Sequence, residues 1–226
     1  MIPRSLSVAG PTGALSAELI APEAPSALLL LAHGAGAGFD HANLVGIATA
    51  LAEAGVATLR FNFPFMQAGK RQVDRRPVAT AAVAAAVELA RSQCPKLPLF
   101  VGGHSFGGRM ASHAVLEHQL APCGLVFCAF PLHPPRRPGV PRAAHLVDIS
   151  QPMLFLSGTR DGLAQADLLQ SVVDQIGPRA KLHWLATADH SYKILKRQRA
   201  PEPTVFEEMA AAIRAFVDAH QPTTAR

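Results

Sequence analysis

Residues 97–108 read Leu97-Pro98-Leu99-Phe100-Val101-Gly102-Gly103-His104-Ser105-Phe106-Gly107-Gly108. The first six are an apolar run of strand length, and a Gly-x-Ser-x-Gly turn, residues 103–107, follows it directly. The next stretch, to about Gln119, has a helical pattern. Strand, tight turn and helix in that order make a nucleophile elbow: Ser105 sits on a strained turn and its hydroxyl projects beyond the sheet edge. Gly103 and Gly107 leave room where the strand and helix backbones approach each other. Gly102 and Gly108 extend the small-residue zone. The same letters arise by chance in a chain with 17 glycines, but the flanking strand and helix are the context such a turn requires.

On either side of this turn, short apolar runs alternate with longer helical patterns, the signature of a parallel sheet built from βαβ units. The runs 27–32, 57–61, 97–102, 124–130, 152–157 and 180–185 are nearly continuous in apolar residues, as strands covered on both faces are. Residues 6–9 and 14–20 flank the Gly10-Pro11-Thr12-Gly13 turn and predict an N-terminal antiparallel hairpin. The fold class is therefore α/β: a mostly parallel, eight-strand-like sheet flanked by helices. Asp40 is placed to cap a helix running to Gly55, and Pro77 to open an alanine-rich helix ending near Ser92. Leu169, Val172, Val173 and Ile176 follow helical spacing, so an amphipathic helix runs from about residue 164 to a stop at Gly177-Pro178. Thr204 and Glu207 have capping-box spacing, and Phe206, Met209, Ile213, Phe216 and Val217 give the last helix one apolar face. Residues 131–150 hold five prolines and no helical pattern, and read as a loop over the sheet edge.

A chain of 226 residues suits one domain, 1–226, with no internal boundary. It can bury on the order of 70–75% of its unfolded surface without staples. With 49% hydrophobic and 16% charged residues, intrinsic disorder is excluded. No apolar run approaches the roughly 18 residues of a membrane span, and the first eight residues lack the apolar core of a signal peptide. Cys94, Cys123 and Cys128 are an odd set with no C-x-x-C, which predicts neither a disulfide framework nor a zinc site. The expectation is a soluble, cytoplasmic protein without a metal or a membrane partner.

The turn at 103–107 and the alternation around it resemble an α/β-hydrolase, over essentially the whole chain. That resemblance implies a triad in the order nucleophile, acid, histidine, each partner following a later strand. Run 152–157 leads into Gly158-Thr159-Arg160-Asp161, and run 180–185 leads towards Ala188-Asp189-His190. The matching positions are Ser105 as nucleophile, Asp161 as acid and His190 as base. A hydroxyl is a poor nucleophile at neutral pH, so His190 would take its proton while Asp161 holds the imidazole in the productive tautomer. Other aspartates fit worse. Asp189 adjoins His190, and adjacent side chains on an extended segment point apart; Asp148 precedes its strand; Asp167 and Asp174 lie on a helix. Of the ten histidines, only His190 follows a C-terminal strand at the expected place.

The resemblance also implies an oxyanion hole. One donor is the backbone N–H after the nucleophile, Phe106. The loop His33-Gly34-Ala35-Gly36-Ala37-Gly38 is similar to the H-G-x type and supplies the second at Ala35; one such donor is worth about 3 kcal/mol. The loop lacks the Lys-Ser/Thr ending of a phosphate loop, and glycines at 34, 36 and 38 do not fit the dinucleotide pattern, so no cofactor is implied. His33 reads as a brace for this loop and His104 as pointing into the fold. More narrowly, the chain resembles the small, capless dienelactone-hydrolase-like group. Segments 31–38, 59–64, 130–135 and 158–161 are similar to a bacterial branch related to a regulatory subunit of a histone-acetyltransferase complex. Dienelactone hydrolases use cysteine where this chain has Ser105, and no insertion before Pro152 is large enough for a cap. The implied activity is hydrolysis of a small-molecule, ester-type acyl substrate through an acyl-enzyme, with thioesters and peptides as further acyl donors.

Three segments hold over half of the 21 basic side chains: Lys70, Arg71, Arg75 and Arg76; Arg136, Arg137 and Arg142; Lys193, Lys196, Arg197 and Arg199. In a parallel sheet all three leave the carboxyl edge, the edge of Ser105. A positive field there attracts anionic substrates, with Arg71, Arg75, Arg136 and Lys193 as candidate substrate-binding side chains. The same charges also serve plain loop solubility, or a catalytically silent scaffold that binds an acidic partner. No nucleic-acid module is present, and one Trp and one Tyr offer few stacking platforms, so nucleic acid is not expected.

Overall fold

A computed structural model describes residues 2–221. Its elements run β1 (Arg4–Gly10), β2 (Gly13–Ile20), β3 (Ala27–Ala32), α1 (Ala42–Glu53), β4 (Val56–Phe61), α2 (Pro64–Gln67), α3 (Arg76–Gln93), β5 (Leu99–His104), α4 (Phe106–Glu117), β6 (Gly124–Cys128), β7 (Met153–Gly158), α5 (Ala166–Ile176), β8 (Ala180–Leu185) and α6 (Val205–His220). All eight strands join one sheet in the order β1-β2-β4-β3-β5-β6-β7-β8. The β1–β2 hairpin closes at Gly10 opposite Gly13, β2 lies antiparallel to β4, and every other pair is parallel.

Side chains alternate across the pleat, so one strand feeds two cores. Leu28 and Leu30 of β3 belong to the core on one face, which Val83, Met110 and Leu169 of α3, α4 and α5 also build. Leu29 and Leu31 belong to the core on the other, with Ile47, Leu51, Met209 and Ile213 of α1 and α6. Burial on both faces is why β3 to β7 are continuous apolar runs rather than alternating ones. The run 180–185 departs from this expectation: β8 is an edge strand, half-exposed along most of its length, with Lys181 exposed. Among the described residues, no helix is long and apolar enough to cross a membrane.

Two local expectations change. The N-cap of α1 is His41, whose ring accepts a 3.2 Å hydrogen bond from the Asn43 N–H, and not the exposed Asp40. The chain turns one residue late because the His41 N–H closes back onto the Gly38 carbonyl. Segment 131–150 is also more ordered than its prolines imply. It contains a short 3₁₀ helix, Ala144–Asp148, and sends Leu132, Leu146 and Ile149 into the core. The Leu132 N–H donates to the Leu163 carbonyl at 2.9 Å, tying this segment to the loop after β7. Among the described residues nothing between β6 and β7 has the size of a cap domain.

Candidate active site

Strand order reverses between β3 and β5, because the chain leaves β3 for β4 on one side and returns to β5 on the other. Loops diverge there at the carboxyl edge and open a crevice, the usual ligand position in such sheets. Ser105 stands at this place, at φ 52° and ψ −113°, a sparsely populated conformation for a residue with a side chain. Hydrogen bonds on both sides hold it: Ser105 N–H to the Cys128 carbonyl at 3.0 Å, and Arg109 N–H to the Ser105 carbonyl at 3.2 Å. The flanking glycines are required by the closeness of β3. A Cβ on Gly103 would lie 2.3 Å from the Ala32 carbonyl oxygen, and one on Gly107 would lie 2.5 Å from it.

Three loops bring Ser105, His190 and Asp161 into one line. His190 Nε2 is 2.9 Å from Ser105 Oγ, and Nδ1 is 2.8 Å from Asp161 Oδ2. A carboxylate only accepts, so Nδ1 carries the hydrogen and Nε2 is left to accept from the serine hydroxyl. Asp161 Oδ1 accepts the Leu163 N–H at 2.8 Å, and the side chain has no exposed surface. Both oxygens are thereby committed, and the carboxylate cannot swing. The competing aspartates are elsewhere: Asp189 accepts from the N–H groups of Ser191 and Lys193 inside its own turn, while Asp148, Asp167 and Asp174 are exposed.

The loop after β3 is braced from below. His33 is fully buried, donates from Nδ1 to the Gly34 carbonyl at 2.7 Å and accepts the Phe63 N–H at Nε2, 2.9 Å away. Burial pushes its pKa down to about 4, so it is a neutral brace rather than a second base. Arg60, buried and paired with Glu18, donates to the Phe39 carbonyl at 2.6 Å. Asn62 accepts the Phe39 N–H at 3.1 Å. The segment at 59–64 therefore fixes the loop that carries Ala35. Among the described residues neither the Ala35 N–H nor the Phe106 N–H donates within the protein, and Phe106 opens α4, where no carbonyl lies one turn back.

A depression of about 360 Å³ lies over these groups, lined by residues 34–37 together with Leu44, Leu163, His104, Ser105 and His190. A larger one, about 680 Å³, opens at the opposite edge among Leu28, Leu99, Cys94 and Cys123 and has no such alignment. Arg71, Arg75, Arg136 and Lys193 are exposed, and none of them lines the depression. His104 points into the fold as expected, packed between Gly34, His190 and Tyr192 and bordering the depression, and its Nε2 lies 3.0 Å from the His190 carbonyl oxygen. Sequence reasoning had no signal for that contact, nor for the Leu163 N–H on Asp161. Among the described residues no group of three or more His, Cys, Asp or Glu side chains could hold a metal ion.

Residues 25–218 match the family described as an alpha/beta hydrolase domain. Among solved structures the chain is similar to a serine hydrolase without a lid from Xanthomonas campestris, at 20% identity and TM-score 0.75, covering 99% of this chain and 97% of that one. It is similar to a dienelactone hydrolase from Anabaena variabilis, at 18% identity and TM-score 0.76, covering 98% and 99%. A third likeness is to Est1E from Butyrivibrio proteoclasticus with ferulic acid bound, at 17% identity and TM-score 0.74, covering 95% and 98%. At these identities the likeness is one of fold.

Proposed function

The chain belongs to the alpha/beta hydrolase family, and from that premise we propose that it is a serine hydrolase cleaving small ester-type acyl substrates. The observation that carries this reading is the continuous hydrogen-bonded line from Ser105 through His190 to Asp161, with contacts of 2.9 and 2.8 Å. Ser105 Oγ attacks the acyl carbonyl as its proton passes to His190 Nε2. Asp161 holds the opposite nitrogen protonated and stabilises the imidazolium that forms. Charge collects on the former carbonyl oxygen, which the Phe106 and Ala35 N–H groups receive. His190 then gives its proton to the departing alkoxide, leaving an acyl-Ser105. Water, deprotonated by the same nitrogen, cleaves that ester, and the serine hydroxyl is restored.

A shallow depression without a cap favours short acyl groups over long chains buried beneath a lid. The exposed cations of the carboxyl-edge loops favour anionic esters by long-range attraction rather than by contact. Labelling with a fluorophosphonate tests the central claim. Wild-type protein should label at one serine and hydrolyse p-nitrophenyl acetate, while Ser105→Ala should lose all labelling and about ten-thousandfold or more of its turnover. Labelling that persists in Ser105→Ala would sink the reading. A carboxylate-bearing ester whose kcat/KM advantage does not shrink with added salt would remove the steering claim alone.

A further inference from the structure

We infer that His104, the residue before the nucleophile, is a positioning residue that holds the base His190 by its backbone. The inference rests on the serine hydrolase reading above and goes beyond it, since His104 touches neither Ser105 Oγ nor the reacting atoms. His190 belongs to residues 186–204, a stretch without a regular helix or strand. The chain bends sharply there, at Thr187 with φ 62° and Tyr192 with φ 63°, and Asp189 knits residues 189–193 into one compact turn. The buried Ala188 and Tyr192 anchor its ends and Asn43 Nδ2 donates to the Ser191 carbonyl at 3.1 Å, which leaves the His190 carbonyl between them to be held. A shift of about 1 Å there would open the Ser105–His190 hydrogen bond, and misplacement on that scale costs about a hundredfold in rate.

His104 opposes that shift from the strand that carries the nucleophile. Its Nε2 lies 3.0 Å from the His190 carbonyl oxygen. A carbonyl only accepts, so His104 carries its hydrogen on Nε2 and leaves Nδ1 bare. The ring is hemmed in by His190, Tyr192 and Gly34. The His190 and Tyr192 rings each lie 5.4 Å away between centroids, and a Cβ on Gly34 would come within 2.8 Å of Nδ1. The charged and titratable groups around it are His190, Asp161, His41 and His33, with the buried Tyr192 hydroxyl. Burial, with the neighbouring His190, pushes the His104 pKa to about 4. Across the neutral range the ring is therefore an uncharged donor, and it ties the base to the nucleophile's strand without adding a second charge beside His190.

His104→Gln and His104→Met test this, because the two side chains are close in volume and only glutamine offers an N–H donor. The measurement is kcat and KM on p-nitrophenyl acetate, with competent sites counted by fluorophosphonate titration. The Met variant should lose about ten- to a hundredfold in kcat per titrated site with KM within about twofold, and the Gln variant should recover most of that loss. Equal rates for the two variants, or a loss accounted for entirely by fewer titratable sites, would overturn the inference. Nitrogen NMR of histidine-labelled wild-type protein gives an independent reading that needs no variant. His104 should be protonated at Nε2 and bare at Nδ1 from about pH 5.5 to 8; the opposite tautomer would overturn the inference too. Wild-type protein that does not titrate at all would instead bring down the hydrolase reading on which it rests.

Discussion

One carboxylate decides which nitrogen of His190 carries the proton. Asp161 spends one oxygen on the Leu163 N–H and the other on His190 Nδ1, and it is closed to water. Asp161→Asn keeps the shape but changes the logic. Its amide oxygen must still accept from Leu163, so its NH₂ faces His190 and forces Nδ1 to accept. The hydrogen then moves to Nε2 and points at Ser105 Oγ, where it blocks proton abstraction. Turnover should fall about a thousandfold or more, while the buried amide stays hydrogen-bonded and thermal stability changes far less. Steady-state kinetics beside a melting curve separates the two, and a variant within about tenfold of wild-type kcat would remove Asp161 from the relay. Positions at this scale were legible where they terminate strands. Ser105, Asp161 and His190 each follow an apolar run, and strand ends share an edge. The hydrogen bond of His104 was not legible, because the turn motif leaves its second position open and no periodicity says which backbone group a ring turned into the fold will meet. Arg71, Arg75, Arg136 and Lys193 lie outside the depression for a related reason: strand order reveals which edge a loop leaves, not where its flexible side chains end.

At the scale of elements, the site depends on how closely α4 lies against the end of β3. A Cβ on Gly107 would sit 2.5 Å from the Ala32 carbonyl oxygen and 2.6 Å from that of His33. In an isolated helix, alanine is favoured over glycine by about 1 kcal/mol. Here the obstacle is backbone, which cannot rotate away as a side chain would, and such overpacking costs about 1–3 kcal/mol. The steric cost should win. Urea unfolding should report Gly107→Ala as less stable by about 1–2 kcal/mol. Its turnover should fall as well, because Ala35 hangs from the same displaced loop. A variant more stable than wild type would mean that helix propensity dominates and that β3 yields readily. Most elements could be read in advance because they are long enough to display a period. Residues 180–185 and 27–32 form strands with the expected bounds, and Thr204 with Glu207 makes the expected reciprocal cap. Helix α2 and the 3₁₀ turn at Ala144–Asp148 are too short to show one. Strand β5 starts later than expected, at Leu99, because Pro98 has no N–H to give to a ladder.

For the whole molecule, four histidines make stability depend on pH. His33, His104, His113 and His145 are each pushed to about 4, with burial as the leading cause in every case. His113 and His145 stack face to face at 3.7 Å, and the cations Arg76 and Arg109 press both further down. The unfolded chain binds these protons near pH 6.5, whereas the folded protein refuses them until about 4. Between those values the unfolded state holds more protons, so stability rises with pH. Their contribution is complete above about pH 6.5, drains away as pH falls towards 4 and levels off below it. His33 has no exposed surface, and its share of the loss on going from neutral pH to pH 5 is about 2 kcal/mol. Urea unfolding at pH 7.5 and pH 5 should therefore give a lower free energy at the acid end. In His33→Gln, whatever its absolute stability, the gap between the two pH values should narrow by about 2 kcal/mol. The substitution removes the titrating group but leaves an amide in reach of the Phe63 N–H. An unchanged gap would mean that the ring under the loop after β3 takes up its proton while still folded. The neutral brace that keeps Ala35 in line with Phe106 would then be lost under mild acid before the protein unfolds.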